Sequence, residues 1–304
     1  MLGGICYWVF NMSIMASVMG LIVLLVRRIR VIPRRVAVVL WIVPFFRMCI
    51  PVGLNSPYSL MTLISKLATR TVTVYEPSEG IELSFTNSIM AAESYSPLTY
   101  KVNVLEKVFE IAGLVWIIVA LALMTALVIL YVTTKREIAD SKLLERNIYL
   151  SSAVTGPAVY GIIRPKIVLP SGYEEKDLKY VIKHEQTHIK RLDNLWRLLG
   201  FAAACVHWFN PLSWVFLKAF LEDLELACDE MAIGSLDADE RKNYALALLE
   251  CTSGKSMLVS AFGGAKVRTR IENVLSYKKM TLFSAAGLAA LMIVIIYTLL
   301  TNAG

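Results

Sequence analysis

The sequence predicts an α-helical integral membrane protein: four transmembrane helices, with a mainly helical domain containing a small β element between the third and the fourth. Three observations carry that prediction. The composition, 57% hydrophobic and 18% charged over 304 residues with a mean hydropathy of +0.59, lies far from that of a soluble globular chain. Four apolar stretches have lengths near the bilayer thickness and carry Lys/Arg clusters at one end. Residues 135–279 alone combine a soluble charge density with the length of an independent domain.

Leu2 to Val26 is uncharged and is followed by Arg27, Arg28, Arg30, Arg34 and Arg35. A secretory signal carries its positive charges before the apolar core; here they come after it, so this is a retained anchor whose C-terminal end is cytoplasmic. Val36 to Leu54 is the second span, interrupted by Pro44, Arg47 and Pro51, with Arg47 near enough to one end to snorkel. Ile111 to Val132 is the third, closed by Lys135 and Arg136, and Met280 to Leu300, after Lys278 and Lys279, is the fourth. The chain divides accordingly: residues 1–54 hold the first two helices, 55–107 an extracellular loop, 108–134 the third helix, 135–279 the cytoplasmic domain, and 280–304 the fourth helix with a short tail. Every basic cluster then faces the cytoplasm while both termini lie outside. Without a crossing at Val36 to Leu54 the third span would reverse and Lys135 and Arg136 would fall on the wrong side.

In the outward loop, Thr71 to Tyr75 and Glu82 to Thr86 are β-favouring runs about Pro77 and Gly80, the pattern of a small hairpin. The cytoplasmic domain opens with a charged linker, Glu137 to Asn147, read as a helical extension of the third span. Ala158–Tyr160, a turn at Gly161 and Lys166–Leu169 stopped by Pro170 then predict two strands, whose outer edge could pair with an extended peptide. Ser171, with Glu174 three residues on, caps a helix over about residues 174–190. Leu195 to Val206 and Leu212 to Leu224 flank a turn at His207-Trp208-Phe209-Asn210-Pro211. That hairpin is apolar enough either to be a buried core or to lean into the membrane, and both arms are short for a span. Residues 237–250 read as a helix. Phe262-Gly263-Gly264 marks a turn before Lys266, Arg268 and Arg270, read as a basic approach to anionic lipid. The net charge of +7 is accounted for by membrane-flanking clusters, and no stacked-aromatic platform accompanies them, so no direct nucleic-acid binding is predicted.

The chemistry converges on Lys183-His184-Glu185-Gln186-Thr187-His188. His184 and His188, one helical turn apart, can present two imidazole nitrogens to one metal ion, and Glu185 on the adjoining flank suits a general base. A catalytic zinc site wants a third protein ligand and an open fourth position. In Leu221 to Glu230, Glu225 is taken as that ligand and Asp229, one turn on, as its neighbour orienting a histidine; a carboxylate in so apolar a context has reason to be paired or metallated. Glu222 on the same face and His207 are the rivals, His207 reading better as a structural or interfacial histidine. Asp193 could accept a proton from a ligand imidazole. The cysteines, Cys6, Cys49, Cys205, Cys228 and Cys251, are dispersed without a CxxC pair and are read as buried free thiols, not zinc ligands. The predicted reaction is peptide-bond hydrolysis with one Zn2+ per chain and Glu185 as the proton carrier; Tyr244 or Arg241 could assist the oxyanion.

The motif with Arg191 and Asp193, His207 to Pro211, Glu225-Leu226-Ala227-Cys228-Asp229 and Gly161 to Pro170, taken in that set, closely resemble the bacterial β-lactam sensor/transducer proteins of methicillin and penicillin resistance and their membrane-integral zinc peptidase relatives. The likeness extends over essentially the whole chain. It implies a gluzincin-like site with His184, His188 and the glutamate matched by Glu225 on zinc, Glu185 catalytic, and a peptidase domain facing the cytoplasm of a bacterial plasma membrane. It also implies a protein substrate, a transcriptional repressor or the chain itself. Those sensors continue beyond the fourth span into an extracellular penicillin-binding domain, whereas this sequence stops at Gly304, so a removed domain, a relative that senses something else or one that pairs with a separate sensor protein would each fit, and a homodimer is the other partner considered. A catalytically silent zinc-binding signalling scaffold is the alternative, though structural zinc has no need of Glu185. A transporter component is disfavoured by the uncharged first, third and fourth spans.

Overall fold

A computed structural model of the chain describes residues 2–29, 32–50, 55–59, 62, 104–171, 178–250, 265–277 and 282–303. The expected hairpin over residues 71–86, Glu174, Cys251, the 262–264 turn and Lys278/Lys279 lie outside the described residues. Among those described, the chain forms nine helices and six short strands, and the architecture is mainly helical.

Helices α1 (Leu2–Val26) and α2 (Arg34–Cys49) form an antiparallel pair joined at Arg27 to Arg34. Helix α3 (Val104–Glu137) runs beside α1, its first turns against the start of α1: Tyr7 meets Phe109 edge-on, with ring centroids 5.4 Å apart. Helix α9 (Leu282–Leu300) packs on α2, and its far end is tied to the segment after α2 by a two-residue parallel bridge, β1 (Asn55–Ser56) with β6 (Asn302–Ala303). Among the described residues two helices, at Leu2–Val26 and Lys107–Glu137, are long and apolar enough to cross a membrane, against the four expected. The other two are shorter. Helix α2 has 16 residues, about 24 Å at 1.5 Å per residue, and α9 has 19 uncharged residues, about 28 Å.

After α3 the chain does not continue as a helix. It turns at Ile138, which is buried against Val154, Tyr160 and Val168, and enters β2 (Lys142–Glu145). This overturns the expected helical extension over residues 137–147. The charges that suggested a solvated helix fit an outer strand equally well, since all four β2 residues are exposed. With β3 (Ile148–Ser151), β4 (Ala158–Tyr160) and β5 (Lys166–Pro170) it builds a four-stranded sheet in the order β2-β3-β5-β4, parallel between β3 and β5 and antiparallel elsewhere. The predicted pair is therefore half of a larger sheet, and β4 is its other edge.

One face of the sheet receives α4 (Leu178–Lys190), whose Val181, Ile182 and Ile189 pack on Ile148, Ile167 and Leu169. Helices α5 (Asp193–Val206) and α6 (Pro211–Ile233) form a hairpin, followed by α7 (Ala238–Glu250) and α8 (Val267–Ser276), which close over α6 through Ile233, Tyr244, Leu248 and Val274. The hairpin shares one core with α1 and α2, in which Phe201, Phe216, Leu217 and Phe220 pack with Ala16, Val23, Leu40 and Trp41. Gly20 makes the approach possible: a Cβ there would stand 2.2 Å from the Phe216 ring. Of the two alternatives for this hairpin, the core it joins is that of the apolar helices.

Candidate metal centre

Helix α4 turns its polar face inward, so that His184, Glu185 and His188 are all buried. The two rings stand edge-to-face with Nε2 atoms 3.1 Å apart. Each Nδ1 is engaged on its other side. His188 Nδ1 lies 2.6 Å from Asp193 Oδ2; an ionised carboxylate only accepts, so this nitrogen donates. His184 Nδ1 is 2.9 Å from Tyr244 Oη and 3.2 Å from Asp229 Oδ1, and Tyr244 in turn donates to Asp229 Oδ1 at 2.8 Å. With both Nδ1 atoms protonated, both Nε2 atoms present lone pairs, and they face each other.

Glu225 completes the arrangement from α6. Its Oε2 lies 3.8 Å from His184 Nε2 and its Oε1 3.8 Å from His188 Nε2. Burial opposes ionisation of Glu225, but His188, Arg197, Arg270 and His184 together outweigh it and pull the carboxyl down to about 2. Asp229 is likewise held well below the usual carboxylate range, burial being overcome by Arg270 and His184. Two imidazole lone pairs and an ionised carboxylate converging on one point form an N/O donor set that fits zinc. A pair of facing acceptors is also repulsive unless a cation or proton is supplied to it, and Arg270 Nη2, 3.1 Å from His184 Nε2, supplies a cationic donor to one of the two.

Of the described cysteines, Cys6, Cys205 and Cys228 are the buried free thiols expected, whereas Cys49 is exposed, and Cys228 reaches this neighbourhood. One donor atom each from His184, His188 and Cys228 can be chosen within 4.8 Å of one another. Its Sγ, however, lies on the Nδ1 side of His184, 3.6 Å from that nitrogen, and donates to the His184 carbonyl at 3.4 Å. Burial and then the charges of Asp229, Asp193 and Glu225 push the thiol well up, away from the thiolate a metal needs. Glu225 faces the Nε2 atoms, which makes it the better third donor.

The structure thus brings together His184, Glu185, His188, Glu225, Asp229, Asp193 and Tyr244, and leaves three candidates elsewhere. Glu222, about a turn before Glu225 on α6, pairs instead with Arg27 at 3.3 Å. His207 is fully buried at the α5–α6 turn and donates from Nε2 to the Met48 carbonyl at 2.9 Å. Arg241 serves the Leu236 and Tyr277 carbonyls and cannot assist an oxyanion here. Tyr244 is present but occupied with His184 and Asp229.

Two arginines were not foreseen. Arg197 from α5 donates to Glu225 Oε1. Arg270, read from sequence as a lipid-facing base, is turned inward: Nε and Nη2 grip Asp229 at 2.8 and 2.7 Å, Nη2 lies 3.1 Å from His184 Nε2, and Nη1 lies 3.6 Å from Glu225 Oε2. Beside the centre, Asn194 donates to the Val159 and Gly161 carbonyls, both at 3.0 Å. The outer edge of β4 is thereby already taken at the two carbonyls that an added strand would use. Tyr160, on the same strand, has its phenol pushed up to about 12 by burial and the charges of Glu137 and Glu185.

A buried His–Glu–x–x–His helix, a carboxylate from a second helix and a shared core with apolar helices define a class, the membrane-associated metallopeptidases. The chain belongs to the BlaR1 peptidase M56 family, whose model matches residues 7–274. It is similar to the regulatory protein BlaR1 of Bacillus licheniformis, with 30% identity over 127 residues covering 41% of this chain and 21% of the relative. The methicillin resistance mecR1 protein of Staphylococcus aureus is 25% identical over 165 residues, covering 49% of this chain and 28% of the relative. BlaR1 of Staphylococcus aureus is 26% identical over 143 residues, 43% of this chain and 24% of the relative. The matched stretches thus span about a quarter of these relatives' lengths.

Proposed function

We propose that the chain is a zinc-dependent endopeptidase seated at the inner face of a bacterial plasma membrane, acting in transmembrane signalling. The observation that carries this is the pair of His184 and His188 Nε2 lone pairs 3.1 Å apart, with both Nδ1 atoms tied down and Glu225 facing them. His184, His188 and Glu225 would hold one zinc ion, which when bound supplies Lewis-acid polarisation of the scissile carbonyl and the attacking water. Glu185, neighbouring His184 but outside the donor set, takes the proton of the attacking water and returns it to the leaving nitrogen. Asp193 and Asp229 keep the imidazole Nδ1 protons in place, the latter with Tyr244. Arg270 and Arg197 keep Asp229 and Glu225 ionised.

Four crossings with both termini outside fit the way the helix ends meet. The starts of α1 and α3 lie together, the ends of α2 and α9 are bridged, and the Arg27–Arg34 turn sits at the opposite end, where α6 reaches it. The substrate on this reading is a cytoplasmic protein, such as the transcriptional repressor of a resistance system, or the chain itself. The inducing signal would come from a separate sensor protein or a second copy of this chain. Purified in lipid nanodiscs, the wild type is expected to carry about one zinc per chain and to cleave itself or an added repressor. Glu185→Ala should keep the zinc and lose cleavage by at least about a hundredfold. Zinc-free wild type after metal supplementation would sink the reading, whereas zinc binding without cleavage in either protein would favour the silent scaffold.

A further inference from the structure

Among the described residues a second dense polar cluster, outside the metal centre, lies on the same helix. Asp223 of α6 is fully buried and has no part in the donor set. It receives Arg27 through Nε at 2.8 Å and Nη2 at 3.0 Å, the Trp41 indole N–H at 2.9 Å and Arg34 Nη1 at 3.4 Å. Two turns further along α6, Glu230 accepts the backbone N–H groups of Arg34 and Arg35 at 3.0 and 3.4 Å, occupying the first turn of α2. Arg34 Nη1 also holds the Arg27 carbonyl at 2.9 Å, so the whole α1–α2 turn is bound into the cluster. At 100° per residue, Asp223 and Glu230 share one side of α6, while Glu225 and Asp229 stand on the opposite side. One side of a single helix is therefore clamped to the end of the apolar helix pair, and the other side carries a zinc donor and the carboxylate that orients His184.

We propose that Asp223 and Glu230, with Arg27, Arg34 and Trp41, are positioning residues. They set the place of Glu225 and Asp229 against α4, so that a displacement of α1 and α2 is transmitted to the centre. This rests on the zinc reading above for its consequence but not for its geometry. A buried carboxylate held by four donor atoms of α2 and the α1–α2 turn is costly to displace, because moving it away from them leaves acceptor capacity unmet where water is excluded. The link is also short: Glu225 is only two residues from Asp223, and Asp229 directly precedes Glu230.

The test uses the full chain in nanodiscs, with Asp223→Asn and Trp41→Phe. The latter removes one donor while keeping an aromatic ring, and carries the test if the former does not fold. Zinc affinity is measured by competition with a chromophoric chelator, and amide exchange over residues 224–230 by mass spectrometry. Asp223→Asn should weaken zinc binding at least about tenfold and Trp41→Phe about threefold, both with faster exchange in that segment. Wild-type zinc affinity in the folded variants, with only a lowered melting temperature, overturns the proposal and leaves a purely structural cluster. Were the wild type itself to bind no zinc, the zinc reading would fall, and exchange would decide alone: acceleration over residues 224–230 upholds the coupling and its absence refutes it.

Discussion

Asp193 shows how much of the centre depends on groups that never meet the metal. Its Oδ2 takes the His188 Nδ1 proton at 2.6 Å, and Arg191 stands 3.4 Å from its other oxygen while donating to the Leu224 carbonyl of α6. Replacing the carboxylate by an amide removes the charged acceptor that fixes the tautomer and orientation of the ring. Asp193→Asn should therefore weaken zinc binding by roughly tenfold to a hundredfold with little change in fold, measured by chelator competition. A zinc affinity equal to that of the wild type would mean that the 2.6 Å contact only fastens α5. At this scale most of the centre is readable from sequence, because its chemistry is local. His184 and His188 are one turn apart, and Glu225 and Asp229 are charges stranded in an apolar run. Arg270 is not readable. It lies among Lys266 and Arg268, and only the packing of α8 on α6 tells a guanidinium that grips Asp229 from one that faces solvent or lipid. Arg268, two residues earlier, is exposed and pairs only with Glu272.

Between α4 and α5, Leu192 adopts a left-handed conformation, φ +56° and ψ +35°, with its side chain half exposed. That one residue reverses the chain tightly enough for Asp193, five positions after His188, to fold back onto it. A left-handed non-glycine residue costs about 1–2 kcal/mol, and here the strain is spent next to a candidate ligand. Glycine removes the Cβ clash but adds unfolded-state entropy, so Leu192→Gly should gain roughly 0.5 kcal/mol or break even, while β-branched Leu192→Val should lose about 1 kcal/mol or more. Denaturant unfolding of both variants checks the order; a more stable Val variant would show that the conformation is not maintained. Elements with a strong period or clear punctuation, such as α1, α3, α5 and the β4–β5 pair, are legible in the sequence. The β2–β3 hairpin is not, because Lys142–Glu145 is exposed on every residue and so lacks the alternation that marks a half-buried strand. The parallel pairing of β3 with β5 is a long-range choice that no local signal announces.

For the whole molecule, the decisive relation is how far the α5–α6 hairpin runs along α1. At its base Asp223 meets Arg27; at its tip Asn210 donates to Ser13 and Ser17, both at 2.8 Å, and Phe209 stacks with Phe10. From Asn210 to Asp223 is about 20 Å of helix, and from Ser13 to Arg27 about 21 Å, so the two run side by side over about two thirds of a 30 Å hydrocarbon core. At such a depth, turn backbone would be tolerable only where protein supplies its partners, and several are supplied here. The Trp116 and Trp214 indoles donate to the Val206 and Trp208 carbonyls, His207 donates to Met48, and the Asn210 carboxamide caps α6 by accepting from the Leu212 N–H. Trp214, one of the aromatic residues that make this hairpin so apolar in the sequence, is thus also a polar ligand of the turn, as is Trp116 of α3. If the hairpin enters the bilayer, Val215, about half exposed on α6, faces lipid, whereas Lys242 on α7 faces water. A nitroxide at position 215 in nanodiscs should collide more readily with dissolved oxygen than with a water-soluble nickel chelate, and one at position 242 should do the reverse. Equal access of the nickel chelate to both positions would place the hairpin outside the membrane, and the centre with it.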